Sequence, residues 1–496
     1  MSVSAVAAAG AILIATQGQL AVTPDSAHYF AAARHLLDGS GLIRLGGEPM
    51  ASWPPLYPAL LSALGLLGIT SLWAALIINL LAAATSAAAV AVWIGRRTGD
   101  RLFAAIVGVI TAVGSPMIFV GTLALTDLLF VAFSLLALER LDAWLATPTR
   151  GRLVWCAVAI AMACQTRYTG LALLAAVVIV VMAAGPGSPA SRLSAGVTLL
   201  TVSGAPLLLW IVRNAAVTGT FFGPRFDTEY TVFAALTDTG QQLLGWFLPW
   251  RVATLPLLPP ALAAGLAGAA AGAVLWRRPS AAAVCLTFAG TYLALLLFSV
   301  THMQLDVVGD RMLVPVFAPL VAGGALVMRS AWRRWPRTRM AIAMTGLALV
   351  AVMATRTQAV VNAAWTGGPG APAHTNYNAP RWAHSTTLAR LRKHPPAGLV
   401  FSSSPAALYL HAGLDSRPMP RKHARRSPGV PMDDLDAIDG ELAAAGGAFL
   451  VILDGDVPTH AFTLDELSSR FAVHPVWRAA DGAVYLLARP TAEYAD

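Results

Sequence analysis

Eleven apolar stretches divide the chain, and their number and length constrain the fold more than any other feature. They run over about residues 4–21, 71–95, 102–120, 122–141, 153–165, 168–184, 195–214, 256–276, 281–300, 311–329 and 340–360. A helix advances about 1.5 Å per residue and needs about 20 apolar residues to cross the hydrocarbon core of a bilayer. No water is available there to bond backbone groups, so only helices and closed barrels span it. Stretches of this length predict a helical, polytopic membrane protein with about 11 transmembrane helices. The charge content agrees: 12% of the residues are charged, against about 25% in a soluble domain. The first run lacks a basic leader and a cleavage site, so it reads as a spanning helix rather than a removed signal peptide. Residues 56–69 are apolar but short, which suits a re-entrant or interfacial segment.

The loops set the orientation. Arg96, Arg97 and Arg101 follow the second stretch, Arg150 and Arg152 the fourth, and Arg277 and Arg278 the eighth. Arg329, Arg333, Arg334, Arg337 and Arg339 follow the tenth. With eleven spans these loops share one face, which the positive-inside rule makes cytoplasmic. The net charge of +9 is thereby explained without a nucleic-acid partner. The segment 23–61, the loops 215–255 and 301–310 and the C-terminal region fall on the other face. The chain therefore reads as a multi-pass protein of the plasma membrane. Cys156, Cys164 and Cys285 all lie in apolar runs, without metal-ligand company or a disulfide framework.

Composition changes after residue 360. Residues 361–380 are rich in Gly, Pro, Ala and Asn and read as a linker. Beyond them GLVFSSSPAALYLHAG reads as strand, turn and short helix, AFLVILDGD as a buried strand, TLDELSSRF as a short helix and GAVYLLAR as a final strand. The expected organisation is a membrane domain over 1–360 with its first extracytoplasmic loop at 22–57, the linker, and a small extracytoplasmic α/β domain over 381–496. The triplet Asp454-Gly455-Asp456 reads as a turn after a strand.

Chemistry concentrates in residues 23–61, which set Asp25, His28, Tyr29, Arg34, Asp38 and Glu48 beside the membrane in a chain that otherwise avoids charge. Ionisable groups there are costly to desolvate and mark function by default. Two readings of Asp25 are open. Thr23-Pro24-Asp25-Ser26 is a good helix start, where an acid favours the dipole; alternatively the carboxylate is a general base. FAAARHLL has apolar residues at helical spacing and suits a helix on the membrane surface, carrying Arg34 and His35. His28, three residues after Asp25, falls on the same helix face. Trp53 and Tyr57 suit the interface belt.

Four stretches together resemble the membrane-embedded glycosyltransferases of the GT-C class, in the branch of protein O-mannosyltransferase-like and aminoarabinose-transferase-like enzymes (glycosyltransferase family 39). They are PDSAHYFAAARHLLDGSGL with WPPLYPALL, QTRYTGLALL at 165–174, DRMLVPVFAPL at 310–320, and more loosely ALTDLLFVAFSLLAL at 124–138, where Thr126-Asp127-Leu128 stands for the usual Ser-Glu-Pro. The resemblance implies sugar transfer from a polyprenyl-phosphate carrier to an extracytoplasmic acceptor, which is a glycan, lipid or protein. It makes Asp25 the catalytic base and Arg167, Arg311 and Tyr168 ligands of the donor phosphate. Asp127, His28 and Arg34 are secondary candidates. A divalent metal is compatible with the class, but no motif indicates a ligand set; His302, Asp306 and Asp310 read as loop residues. Membrane lipids are partners by topology. The rival reading is a transporter or flippase of a lipid-linked or small polar substrate, although no internal repeat of the transporter kind is visible.

Overall fold

The computed structural model describes residues 2–254, 259–262, 265–266, 269, 280–366, 376–424, 427–432 and 434–490. The chain forms two compact units. The first comprises Met1–Leu20, Ala51–Pro224 and Tyr230–Ala371, and the second Ala21–Met50, Arg225–Glu229 and Pro372–Asp496.

The first unit is helical. Its elements are α1 (Ser2–Thr16), α3 (Leu56–Gly65), α4 (Ser71–Thr98), α5 (Arg101–Val113), α6 (Ser115–Gly121), α7 (Asp127–Ala146), α8 (Arg150–Thr166), α9 (Gly170–Ala184), α10 (Pro189–Thr218), α11 (Val232–Phe247), α12 (Trp250–Ala253), α13 (Ala281–His302), α14 (Asp310–Arg334) and α15 (Arg339–Thr366); α2 (Pro24–Leu37) belongs to the second unit. Among the described residues α4, α10, α13, α14 and the helix ending at Thr366 are long and apolar enough to cross a membrane, and the bent pair α5–α6 would add a sixth. The expected span at 256–276 lies largely outside the described residues.

Several boundaries differ from expectation, each for a local reason. α1 stops at Thr16, where Gln17 and Gly18 adopt positive φ. The run expected at 102–120 bends by 53° between α5 and α6, where Pro116 opens the second helix. A side chain at the intervening Gly114 would lie 2.3 Å from the Phe317 ring, so any larger residue must displace that ring. The loop expected over 215–255 contains α11, an amphipathic helix that buries Ala235, Thr239, Leu243 and Trp246 on one face. α15 continues to Thr366, into the stretch read as a linker; residues 367–375 lie outside the described set.

α7 packs on α4 and α8 and carries acids that an apolar span would exclude. At its C-terminal end Glu139 and Asp142, one turn apart, are fully buried. Arg96 and Arg97 at the end of α4 close on them: Arg97 Nε donates to Asp142 at 2.7 Å and Arg96 also donates to the Glu139 carbonyl at 2.9 Å. Nearby, Arg329 of α14 pairs with Asp100 at 2.7 Å. Several arginines of the basic loops are therefore helix-to-helix clasps.

The second unit is α/β. Strands β1 (Leu399–Ser402), β2 (Arg417–Pro418), β5 (Ala448–Leu453), β6 (Ala472–Ala479) and β7 (Gly482–Ala488) form one sheet in the order β2-β1-β5-β7-β6, while β3 (His423–Ala424) and β4 (Ser427–Pro431) form a separate pair. β1 runs parallel to β2 and β5, and β7 is antiparallel to β5 and β6. Phe401, Leu450 and Leu487 face one apolar layer with Leu442 and Leu467, and Val400, Val451 and Val484 face another with Leu388 and Leu408. The strands at 399, 448 and 482 match expectation, whereas β6, with a proline and charges in its sequence, shows no clear strand pattern.

Helix α2 is an integral part of this unit rather than a helix with its apolar face on the membrane. Ala27 and Ala31 pack with Leu45 and Ala406 against Tyr377 and Tyr409. Extended backbone before it pairs with residues 376–377: Val22 N donates to Asn376 Oδ1 at 3.0 Å and Tyr377 N to the Val22 carbonyl at 2.8 Å. After it, Gly46 N donates to Asp415 at 2.6 Å.

Candidate active site

In the helical unit three helix ends meet on one carboxylate. Asp127 is the first residue of α7 and is 1% exposed. Arg167, the residue capping the C-terminus of α8, reaches its Oδ1 at 2.5 Å. Arg311, in the first turn of α14, places Nε 3.4 Å from its Oδ2, and its other nitrogen lies 3.6 Å from Asp306. Arg167 also contacts the Thr126 hydroxyl at 3.5 Å. The macrodipoles favour an acid at the start of α7 and a cation at the end of α8. A buried carboxylate is tolerated only when its charge is paired: Arg167 hydrogen-bonds Oδ1, and Arg311 balances the charge at Oδ2 without a hydrogen bond to it. Both retain partial exposure, so the cluster presents cationic donors at its surface.

The turn carrying Arg167 is tight. Gly170 N donates back to the Arg167 carbonyl at 2.9 Å. A side chain at Gly170 would lie 2.7 Å from the Cys164 backbone, so glycine lets α8 and α9 approach.

Tyr168 faces a different network. Its hydroxyl donates to the Ala51 carbonyl at 2.6 Å and accepts from Trp210 Nε1 and Asn214 Nδ2, each at 3.0 Å. A phenol has one proton and two lone pairs, so these partners use its full capacity. Asn214 further donates to the Phe221 carbonyl at 3.1 Å. Arg213 lies over the Trp210 ring, 4.7 Å from its centre. The polar character of Asn214 inside an apolar run is the sequence signal for this knot.

In the second unit Asp25 occupies the first turn of α2 and is half-buried. The helix is capped by others: Thr23 accepts from Ser26 N at 3.3 Å, and Ser26 accepts from Thr23 N at 3.0 Å. Asp25 is thus not the capping residue. His28, one turn on, is held neutral: burial, reinforced by the positive charge of Arg44, lowers its pKa to about 4 against the opposing pull of Asp25 and Glu48. Arg34 is exposed beside Asp38 at 3.9 Å and interacts with Tyr409. Among the described residues no group of three or more His, Cys, Asp or Glu side chains is arranged to hold a metal. Asp310 receives the Trp246 indole at 2.6 Å, and His302 bonds within its own helix. The triplet 454–456 follows β5 as a turn, with Asp456 accepting from Ser404.

No family model matches the sequence, and no curated protein matches it. Solved structures do. ArnT from Cupriavidus metallidurans, determined with bound undecaprenyl phosphate, superposes with a TM-score of 0.60 over 98% of both chains at 16% identity. The fold is that of the GT-C glycosyltransferases. The archaeal oligosaccharyltransferase AglB from Archaeoglobus fulgidus, in complex with an inhibitory peptide and a dolichol-phosphate, gives a TM-score of 0.51 at 12% identity, covering 90% of this chain and 69% of AglB. The arabinofuranosyltransferase AftD from Mycobacteria gives 0.51 at 15% identity, covering 99% of this chain and 42% of AftD. The GT-C fold of this chain thus matches ArnT end to end, and only part of AftD.

Proposed function

We propose that the protein is an integral-membrane glycosyltransferase that moves a sugar from a polyprenyl-phosphate carrier to an acceptor hydroxyl outside the cytoplasm. The observation that carries this reading is the meeting of Arg167 and Arg311, 144 positions apart in sequence, on the buried Asp127 in a chain with the GT-C fold. Asp25 is the general base: the acceptor oxygen bonds to the anomeric carbon, its proton passes to the carboxylate, and the bond from that carbon to the carrier phosphate breaks. The departing phosphate takes the electron pair and needs cations rather than a proton donor. Arg167 and Arg311 meet that need through charge-assisted hydrogen bonds. Asp127 holds both guanidiniums in place before the carrier arrives, so little reorganisation accompanies the reaction. Tyr168 supports the turn bearing Arg167 through its bonds to Ala51, Trp210 and Asn214. Eleven spans with the α/β unit outside the cytoplasm is the topology this reading requires.

Two measurements on the purified full chain test it. Binding of undecaprenyl phosphate in detergent should weaken at least tenfold in Arg167→Ala and Arg311→Ala. Sugar transfer from a radiolabelled polyprenyl-phosphate donor to membrane acceptors should vanish in Asp25→Asn while its thermal unfolding stays unchanged. Full transfer by Asp25→Asn removes the base, and unaltered binding in both arginine variants removes the phosphate site.

A further inference from the structure

The outermost described helix of the first unit stands off from its neighbours. α15 buries only Met353, although most of its residues are apolar. Behind it run two cavities of about 410 and 470 Å³, which share Ile110, Val350 and Met353. Together they form one groove between α15 on one side and α5 and α14 on the other. It extends along α15 from Ile342 to Trp365, about 35 Å at 1.5 Å per residue, which is close to the hydrocarbon thickness of a bilayer. Trp332 lines one end and Trp365 the other, as interface aromatics do.

The two halves differ. Toward Trp365 the helix is tied in place: Thr357 donates to the Val113 carbonyl at 2.6 Å and Trp365 to the Ile14 carbonyl at 2.9 Å. Toward Trp332 apolar side chains line an open space, and a side chain at Gly324 would meet nothing within 4 Å. That end carries Arg329, Arg333, Arg334, Arg337 and Arg339. Arg329, Arg333 and Arg339 are engaged with Asp100, the Thr98 carbonyl and Trp332 respectively. Arg337, in the turn that joins α14 to α15 at this end, is exposed and forms no ion pair among the described residues, whereas Arg334 lies about 200° round α14 from Trp332, away from the groove.

We propose that this half of the groove is a binding site for an anionic phospholipid of the arginine-side leaflet. One acyl chain fills the space behind α15, and the headgroup phosphate rests on Arg337. An apolar slot opening beside an unpaired cation complements an anionic lipid better than a zwitterionic one, whose ammonium offsets its phosphate. The polyprenyl carrier is a poorer occupant, because α14 puts this end about 35 Å from Arg311 along its axis.

Native mass spectrometry of the full chain, eluted from nanodiscs of equimolar phosphatidylglycerol and phosphatidylcholine, tests the site. Phosphatidylglycerol should be retained preferentially. Arg337→Gln should reduce that preference roughly fivefold, the effect of one arginine near a membrane surface. Gly324→Leu, which adds a side chain into open space and improves helix propensity, should release the lipid although every arginine remains. Equal retention of both lipids overturns the proposal. So does unchanged phosphatidylglycerol retention in Gly324→Leu, which marks plain surface attraction, or displacement of the lipid by added undecaprenyl phosphate.

Discussion

Asp127 is withdrawn from water and held by two arginines. Truncating it leaves Arg167 without its counter-charge and Arg311 with the half-exposed Asp306. Breaking a buried pair of this kind costs about 3–5 kcal/mol, so Asp127→Ala should unfold at markedly lower temperature in detergent, with Asp127→Glu intermediate. His28 makes a second prediction. Its pKa is lowered from the ordinary 6.5 to about 4 in the fold, so the unfolded chain binds the proton more readily. Stability is therefore complete above pH 6.5 and declines as pH falls toward 4. Denaturant unfolding of wild type against His28→Gln should show that slope only in the wild type. Single residues were unevenly legible in the sequence. Arg167 and Arg311 stood out because cations are rare in apolar runs. Asp127 was visible as a charge, but its two partners come from α8 and α14, and no local pattern announces such a meeting. The family resemblance makes Tyr168 a phosphate ligand, whereas its hydroxyl serves Ala51, Trp210 and Asn214.

Elements were legible where periodicity or length was strong. α4, α10, α13 and α14 lie close to their expected places, since long apolar runs leave few alternatives. α11 was hidden because its polar face broke the apolar run, and β6 because Pro475 and Arg478 obscure the alternation. α2 was recognised as a helix, but its destination depended on Ala27 and Ala31 fitting Ala406, a tertiary fact. The close approach of α8 and α9 gives an element-scale prediction. Gly170→Ala forces a methyl against the Cys164 backbone, and overpacking of this kind costs about 1–3 kcal/mol. It should lower the unfolding temperature and weaken undecaprenyl phosphate binding by displacing Arg167. Gly151→Ala, which meets nothing within 4 Å, should do neither.

At the scale of the whole molecule, the charge pattern of the loops predicts an orientation. The prediction is direct. Cys156, Cys164 and Cys285 are all buried, so cysteines introduced at exposed sites can be labelled against a quiet background. Thr459→Cys, on the α/β unit, should react with a membrane-impermeant maleimide in intact cells. Gly151→Cys, beside the basic turn between α7 and α8, should react only after lysis. The opposite result would invert the assigned topology. The shared ArnT-like architecture at 16% identity shows how little sequence this arrangement of helices demands.

Helix α7 is anchored at both ends by ions of opposite helices: Asp127 to Arg167 and Arg311 at one, Glu139 and Asp142 to Arg96 and Arg97 at the other. These anchors fix its phase as well as its position. One residue inserted between them would turn one end about 100° against the other, so both sets of ions cannot be matched at once. Point substitutions along the middle of α7 are compatible with that constraint, but changes of length are not, and related chains should therefore preserve the twelve-residue spacing from Asp127 to Glu139 more strictly than the residues between.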